Sequence, residues 1–188
     1  PTVSYAGKMY NTVQIGNQCW LKENLDVGIM IQGTDTAKNN GIIEKYCYNN
    51  DTNNCVIHGG LYQWDEAMQY TSTEGVRGIC PSGWHLPTEL EFETLIKTVG
   101  HDANSLKAIG QGTHYGAGTN TSGFTALLSG SRTNYGHFYN IDYITNFWSS
   151  TEDNTDLVYE PVLYTDYSYI YSLHYAKDYA YSVRCLKD

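Results

Sequence analysis

The sequence predicts a domain in which sheet, turn and loop outweigh helix. Three observations carry this. Charged residues make up only 16% of the chain while Tyr and Gly number 18 each, a balance that favours strands and turns over solvent-exposed helix. Residues 78–100 contain one well-marked amphipathic helix behind a dense turn. The C-terminal stretch 157–186 alternates in short runs separated by turn residues, as paired strands do. At 188 residues, 1–188 fits one domain with a sizeable core.

The bulk numbers narrow the partners. Eleven Lys+Arg against twenty Asp+Glu give a net charge of −9, which repels phosphate backbones, so nucleic acid is not an expected partner. No apolar run approaches the roughly 18–20 residues of a membrane span. The chain opens on Pro1 without a signal-peptide pattern, as a mature or trimmed product would. Its five cysteines are Cys19, Cys47, Cys55, Cys80 and Cys185. They contain no C-x-x-C, which argues against a zinc knuckle or a thioredoxin-type site. Scattered cysteines in a Tyr-rich, Lys-poor chain suit an oxidising, extracytoplasmic compartment, and the odd count leaves one thiol over.

Taken in order, residues 3–21 alternate around the Ala6-Gly7-Lys8 and Gly16-Asn17-Gln18 breaks, predicting a β-meander. A polar loop follows through Gly41. Cys47 and Cys55 flank a polar turn, and this local spacing predicts a disulfide between them. Asn49, Asp51 and Asn53 lack the glycine and terminal glutamate of a calcium loop and read as that turn. Leu61, Trp64 and Met68 recur at i, i+3 and i+7, predicting a first helix over 61–68, with His58 a turn or packing residue before it. Thr88 and Glu91 then form a T-x-x-E capping box. Phe92, Leu95, Ile96 and Val99 make one apolar stripe, and Gly100 is placed to end the helix. Ser105–Ile109 adds a helical turn.

Residues 110–123 are a Gly-, Thr- and Asn-rich loop whose Gly116-x-Gly118 lacks the context of a phosphate loop. Phe124–Leu128 is a short buried strand candidate, and Ser129–Arg132 and Tyr135-Gly136 turn out of it. Phe147–Glu152 is a compact apolar-then-polar unit. Eight tyrosines fall in the 23 residues from Tyr159 to Tyr181, and three strands fit there at about 157–163, 169–175 and 180–186.

Several of these stretches resemble blocks of one family. Gln14-Ile-Gly-Asn-Gln-Cys-Trp20-Leu-Lys-Glu-Asn24-Leu25, Tyr46-Cys-Tyr…Cys55 with Gly60-Leu61-Tyr62-x-Trp64, and Cys80-Pro-Ser-Gly-Trp84-His-Leu-Pro-Thr88-Glu89 are similar to its first three. Gly123-Phe124-x-Ala126-Leu127, Phe147-Trp148-Ser149-Ser150-Thr151-Glu152 and Ser182-Val183-Arg184-Cys185 resemble the rest. On these matches, in order along almost the whole chain, the sequence resembles the Fibrobacter succinogenes major paralogous domain. That family is similar to C-type-lectin-like folds, including the formylglycine-generating enzyme domain. The resemblance implies a C-type-lectin-like α+β fold: two helices packed on a twisted antiparallel sheet, with long irregular loops between the 88–100 helix and the last strands. It also implies a Cys80–Cys185 bridge, leaving Cys19 unpaired. That thiol could compete for Cys80, sit buried and free, or crosslink another chain; buried and free is the preferred reading.

These residues bear on three chemistries. The formylglycine-generating relatives rely on a reactive, copper-binding cysteine pair in the C-terminal half, whereas here only Cys185 follows Cys80. No G-x-S-x-G elbow is present, and neither a Ser/His/Asp set nor a carboxylate pair is marked by any motif. A non-catalytic protein without a cofactor is therefore expected. Calcium-dependent sugar binding is the second. Glu160-Pro161 is followed by Val162 where such lectins carry an amide ligand, no Trp-Asn-Asp follows, and Glu152, Asp153 and Asp156 read as an acidic surface loop.

The third is a binding surface built from tyrosine, a rigid amphipathic side chain with a hydrogen-bonding tip. If Ile170 packs inward, Tyr169, Tyr171, Leu173 and Tyr175 project together from one strand face. The expected ligand contacts are Tyr159, Tyr164, Asp166, Tyr167, Tyr169, Tyr171, His174, Tyr175 and Tyr179. Similar C-type-lectin-like domains are targets of diversity-generating retroelements, and residues 134–181 resemble such a diversified segment. The expectation is an extracellular or surface-displayed bacterial domain that recognises a protein or carbohydrate ligand. The alternative is a self-associating structural module of a surface protein or filament.

Overall fold

The computed structural model describes all 188 residues. The chain opens as an antiparallel meander of β1 (Thr2–Tyr5), β2 (Lys8–Ile15) and β3 (Gln18–Leu21), turning where glycines were read as breaks. β4 (Ile29–Met30) and β5 (Glu44–Lys45) make a small parallel pair. The Cys47–Cys55 disulfide then closes over a tight turn and α1 (Thr52–His58), whose N-cap Asp51 accepts from the Asn53 N–H at 2.9 Å. β6 (Leu61–Gln63) runs into α2 (Trp64–Ala67). β7 (Trp84–His85) precedes α3 (Glu89–Thr98), and α4 (Ala103–Leu106) follows it. The second half is strand-rich: β8 (Ser129–Arg132), β9 (Phe138–Ile141), β10 (Ile144–Asn146), β11 (Leu157–Tyr164), β12 (Tyr171–Ala176), β13 (Ala180–Ser182) and β14 (Leu186–Lys187).

These strands form two curled sheets, one in the order β1-β2-β3-β14-β7 and one in the order β12-β11-β10-β8-β13-β6 with β9 paired to β8. The architecture is therefore mostly β, and the expected C-type-lectin-like arrangement of two helices packed on a single antiparallel sheet is not what the chain adopts. Only α3 exceeds two turns. The 61–68 segment explains much of the difference. Leu61, Tyr62 and Gln63 are all buried because β6 lies against β13, and helix is left only at Trp64–Ala67. The i, i+3, i+7 apolar spacing is met equally by a short buried strand followed by one helical turn. Likewise Ser129–Arg132, read as a turn, is a fully buried strand paired to β9, β10 and β13. Gly130 makes that pairing possible: its φ is +68°, and an added Cβ would lie 2.7 Å from the Tyr139 carbonyl oxygen. Phe124–Leu128, read as a strand, is irregular chain with Phe124, Ala126 and Leu128 buried.

The 78–100 hub forms as the sequence implies. Thr88 Oγ1 accepts from the Glu91 N–H at 3.2 Å, and the Glu91 carboxylate accepts from the Thr88 N–H at 2.8 Å. Phe92, Leu95 and Ile96 are buried, with Phe92 against Trp20 at 5.3 Å between ring centres. Cys80 and Cys185 are joined in a disulfide spanning 105 residues. Cys19 is the free thiol and is half-buried.

The two sheets meet at one polar point. The chain leaves β13 and enters β14 through Val183-Arg184-Cys185, and Arg184 is buried there without a carboxylate. Its Nε and Nη2 donate to Asn24 Oδ1 at 3.1 and 2.7 Å, and its Nη1 donates to the carbonyls of Leu21 and Phe124 at 3.1 and 2.6 Å. Asn24 Nδ2 in turn lies 2.9 Å from the His58 carbonyl, 3.1 Å from Ser129 Oγ and 3.2 Å from Ser182 Oγ. Removing one partner of a buried charge leaves the other unpaired, at about 3–5 kcal/mol. Asn24→Ala is thus expected to lower stability by about that amount in urea unfolding. A loss below about 1 kcal/mol would sink this account of the seam.

Candidate functional site

β11 and β12 divide their side chains between two environments. Tyr159 and Leu163 of β11 face α3 and the core around Phe92, Phe124 and Phe147, and Ile170 packs against the same core. Ile170 is thus inward, and Tyr171, Leu173 and Tyr175 of β12 turn to the opposite face. They share that face with Glu160, Val162 and Tyr164 of β11, because Leu173 pairs with Glu160 and Tyr171 with Val162.

Two tyrosine clusters lie on this face. At one end Tyr164, Tyr167, Tyr169 and Tyr171 make edge-on and tilted contacts with ring centres 4.7–5.8 Å apart, and the Tyr171 hydroxyl bonds the Tyr169 hydroxyl. At the other end Tyr175, Tyr179 and Tyr181 stand 5.8–6.1 Å apart. The hairpin tip between β11 and β12 is held from behind. Lys107 Nζ donates to the carbonyls of Tyr164 and Tyr167 at 2.9 Å each, and the Thr113 and Ala103 N–H groups reach the carbonyls of Thr165 and Ser168. The glycine-rich loop supplies the close fit: a Cβ on Gly116 would lie 2.2 Å from the Thr165 carbonyl oxygen.

Beside Tyr175 and Tyr179 the face opens into a cleft of about 200 Å³. Ser131, Thr133, Tyr139, Asn140, Ile144, Asn146 and Tyr181 complete its lining. Next to Asn146 sits Glu160, fully buried, with Oε1 accepting from Asn146 Nδ2 at 2.8 Å. Burial pushes the Glu160 carboxyl up to about 8, only partly opposed by the Asn146 hydrogen bond. The carboxyl is therefore mostly neutral at pH 7. Its proximity, after burial itself, also raises the Tyr181 and Tyr164 hydroxyls.

The predicted contacts divide accordingly. Tyr167, Tyr169 and Tyr175 are 41%, 46% and 39% exposed and reach the face, as do the half-buried Tyr164, Tyr171 and Tyr179. Asp166 is exposed at the hairpin tip. Tyr159 is a correction: it is buried in the core, its hydroxyl 3.0 Å from Ser172 Oγ. His174 is another, because it lies on the opposite face, 3.5 Å from Asp153 and edge-on to Tyr159. Glu152, Asp153 and Asp156 do not converge on a common point. Glu152 bonds Lys177 and Asp153 lies beside His174.

Tyr139, Asn146 and Glu160 were absent from the sequence-based set. A signal for Glu160 exists: it is the one carboxylate inside the run Leu157-Val-Tyr-Glu-Pro-Val-Leu-Tyr164, every other member of which is apolar or aromatic. A larger depression of about 460 Å³ lies elsewhere, between Asp65, Glu66, Asp156 and Asp178. Its buried carboxylate is already satisfied, Glu66 accepting from the Tyr70 hydroxyl and the Glu44 N–H.

The fold and face together define a β-rich, doubly disulfide-bonded domain that presents clustered tyrosines beside a buried acid. The family model described as Fibrobacter succinogenes major domain matches residues 13–187, and the chain belongs to that family. No curated protein and no solved structure compared with the chain matches it. No helix is long and apolar enough to cross a membrane. The two disulfides suit an oxidising compartment.

Glu160 makes a signed prediction. Its folded value, about 8, lies above the 4.5 of an unperturbed glutamate, so the folded chain holds a proton that the unfolded chain releases above pH 4.5. Stability from this group is full below about pH 4.5 and lost as pH rises through about 8. Glu160→Gln removes the dependence. The variant is expected to match the parent at pH 4 and to exceed it at pH 9 by on the order of 4 kcal/mol in denaturant unfolding. Parallel stability curves for the two proteins would refute the neutral buried acid.

Proposed function

We propose that this domain is a non-catalytic recognition module of the bacterial exterior, binding a protein or glycan ligand on its tyrosine face. The observation that carries the reading is the convergence of Tyr164, Tyr167, Tyr169, Tyr171, Tyr175 and Tyr179 on one accessible surface whose hairpin is anchored from behind by Lys107. Rings already held in mutual contact lose little freedom on binding, and their hydroxyls stay available to a polar ligand. The disulfides and the surface position of the face support an extracellular setting. Replacing Tyr167, Tyr169 and Tyr171 together by Ala is expected to abolish capture on a glycan or peptide array, by at least about tenfold, while the light-scattering mass stays that of the parent. Capture unchanged by the triple replacement would remove the reading.

Assembly is a second reading, and one specific feature favours it. β12 is the terminal strand of its sheet and carries no Lys, Arg, Asp, Glu or Pro between Tyr171 and Ala176, the residues that ordinarily keep an edge from pairing with another chain. On this reading the parent is oligomeric at micromolar concentration, and Ser172→Lys, at an exposed position on the edge strand, returns it to monomer mass. A parent that is already monomeric rules it out.

A further inference from the structure

Asn146, which lines the tyrosine cleft, and Glu160 beside it carry unpartnered oxygens. Asn146 Nδ2 is engaged by Glu160 Oε1, yet Asn146 Oδ1 and Glu160 Oε2 have no hydrogen-bond partner although both are closed off from solvent. Buried acceptors left this way are uncommon and costly. The two side chains lie together on one face of adjacent strands, since Asn146 pairs with Val162, two residues beyond Glu160. No countercharge faces Glu160. The titratable groups around it are phenols: Tyr164 on its own strand, Tyr175 on β12 and Tyr181 on β13. Arg132 on β8 and Lys177 just after β12 are committed elsewhere, Arg132 to the carbonyls of Gly33, Asp35 and Asp178, and Lys177 to Glu152 and the Thr155 carbonyl. Aromatic rings line the cleft, with Tyr139 51% and Tyr175 39% exposed.

We propose that the cleft takes an alkylammonium group, such as a lysine side chain of a partner protein. Its nitrogen donates to the Glu160 carboxylate and to Asn146 Oδ1, and its methylene stem lies between Tyr139 and Tyr175. The inference rests on the tyrosine face being a recognition surface and names the chemistry that surface selects. An ammonium carries three donors and no acceptor, which matches Asn146 Oδ1 and, once Glu160 has given up its proton, Glu160 Oε2. It supplies the missing countercharge, and tyrosine ring faces attract a cation. A neutral hydroxyl could satisfy one oxygen but would leave the acid without a countercharge. The proton balance is explicit. Glu160 enters as the carboxylic acid, binding of the already charged ammonium favours the carboxylate, and the proton passes to solvent. Entry requires the exposed Tyr175 ring to swing aside, a side-chain rotation that leaves the backbone in place.

The test uses the whole chain with n-butylammonium chloride and its neutral isostere 1-butanol as probes. Titrations follow the Asn146 side-chain amide by NMR and proton release by calorimetry in two buffers of different ionisation enthalpy. Butylammonium is expected to saturate, to release close to one proton at pH 7, and to bind about tenfold more weakly at pH 6 than at pH 7. 1-Butanol is not expected to saturate. Glu160→Gln is expected to weaken butylammonium binding at pH 8 by at least about tenfold and to erase its pH dependence, and Tyr139→Ala, at an exposed position, to weaken it without changing the fold. Equal binding of 1-butanol, or full binding by Glu160→Gln, overturns the assignment. Absence of butylammonium binding in a chain that still captures a neutral array ligand through its tyrosines overturns the cation and leaves the recognition surface standing. Glu160-dependent butylammonium binding in a chain that captures no array ligand supports the cleft and overturns the broader reading.

Discussion

The fold depends on how a buried guanidinium is satisfied without a carboxylate. Arg184 sits where the chain crosses from one sheet to the other. Burial lowers it to about 9, so it still carries its charge at neutral pH. Two carbonyls and one amide oxygen solvate that charge, and the planar group lies over the Phe124 ring at 4.4 Å. The contacts draw in separate parts of the chain: Leu21 at the end of the meander, Asn24 just after it, and Phe124 from the long loop, while the next residue, Cys185, is bridged to Cys80 in the hub. Asn24 extends the same network to α1 and to β8 and β13 through its own donations. Neither sheet can shift against the other without breaking a hydrogen bond to a buried charge, which is among the most expensive bonds to lose.

The molecule contains a second buried ionisable group treated in the opposite way. Glu160 has one hydrogen bond where Arg184 has four, no opposite charge, and an oxygen with no partner. Packing does not require it, since an apolar or amide side chain of similar size would fill the space without the desolvation penalty. An ionisable group that lowers stability and gains nothing from its neighbours belongs with function more readily than with folding. Its position agrees, because it lies behind the one part of the surface where tyrosine rings border a cleft instead of closing over a core.

How much of this could be read from the sequence varied with the physics behind each signal. The capped helix was legible because capping and 3.6-residue periodicity are local, and Thr88, Glu91 and the Phe92–Ile96 stripe are all within three turns of one another. The meander and the Cys47–Cys55 bridge were legible for the same reason. Strand alternation sets Tyr169, Tyr171 and Tyr175 opposite Ile170, and with Ile170 packed inward Tyr169 and Tyr175 are exposed and Tyr171 half-buried. The two-sheet architecture was not legible, because it is decided by short strands such as Leu61–Gln63 and Ser129–Arg132. These are buried on both sides, so they show no alternation, and one of them is made of Ser, Gly and Arg. Tyr159 was misplaced by treating tyrosine density as a surface property, when the same alternation that exposes Tyr175 buries Tyr159, and His174 lies on the Ile170 side of its strand, away from the tyrosine face. Glu160 and Asn146 were missed because their meeting depends on the register between β10 and β11, which no local pattern encodes.

A recognition surface needs stiffness behind it and tolerance for an unfavourable group within it, and the magnitudes here are compatible with both. The hairpin that carries the tyrosines is held at its tip by the start of α4, a buried lysine and a glycine loop, through backbone carbonyls that do not depend on which side chains the tip displays. Side chains on the outer face of β12 can therefore vary without loosening their support. The Cys80–Cys185 bridge closes a loop of 105 residues, which in the chain-entropy picture constrains the unfolded state by about 4–5 kcal/mol. That is of the same order as the penalty of keeping Glu160 buried with one hydrogen bond at neutral and alkaline pH. The disulfide ties the hub to the segment after Arg184, within the core cluster that also holds Tyr181 of the cleft lining. A domain arranged in this way can carry a buried, poorly satisfied carboxyl because a covalent tie of comparable magnitude offsets its cost.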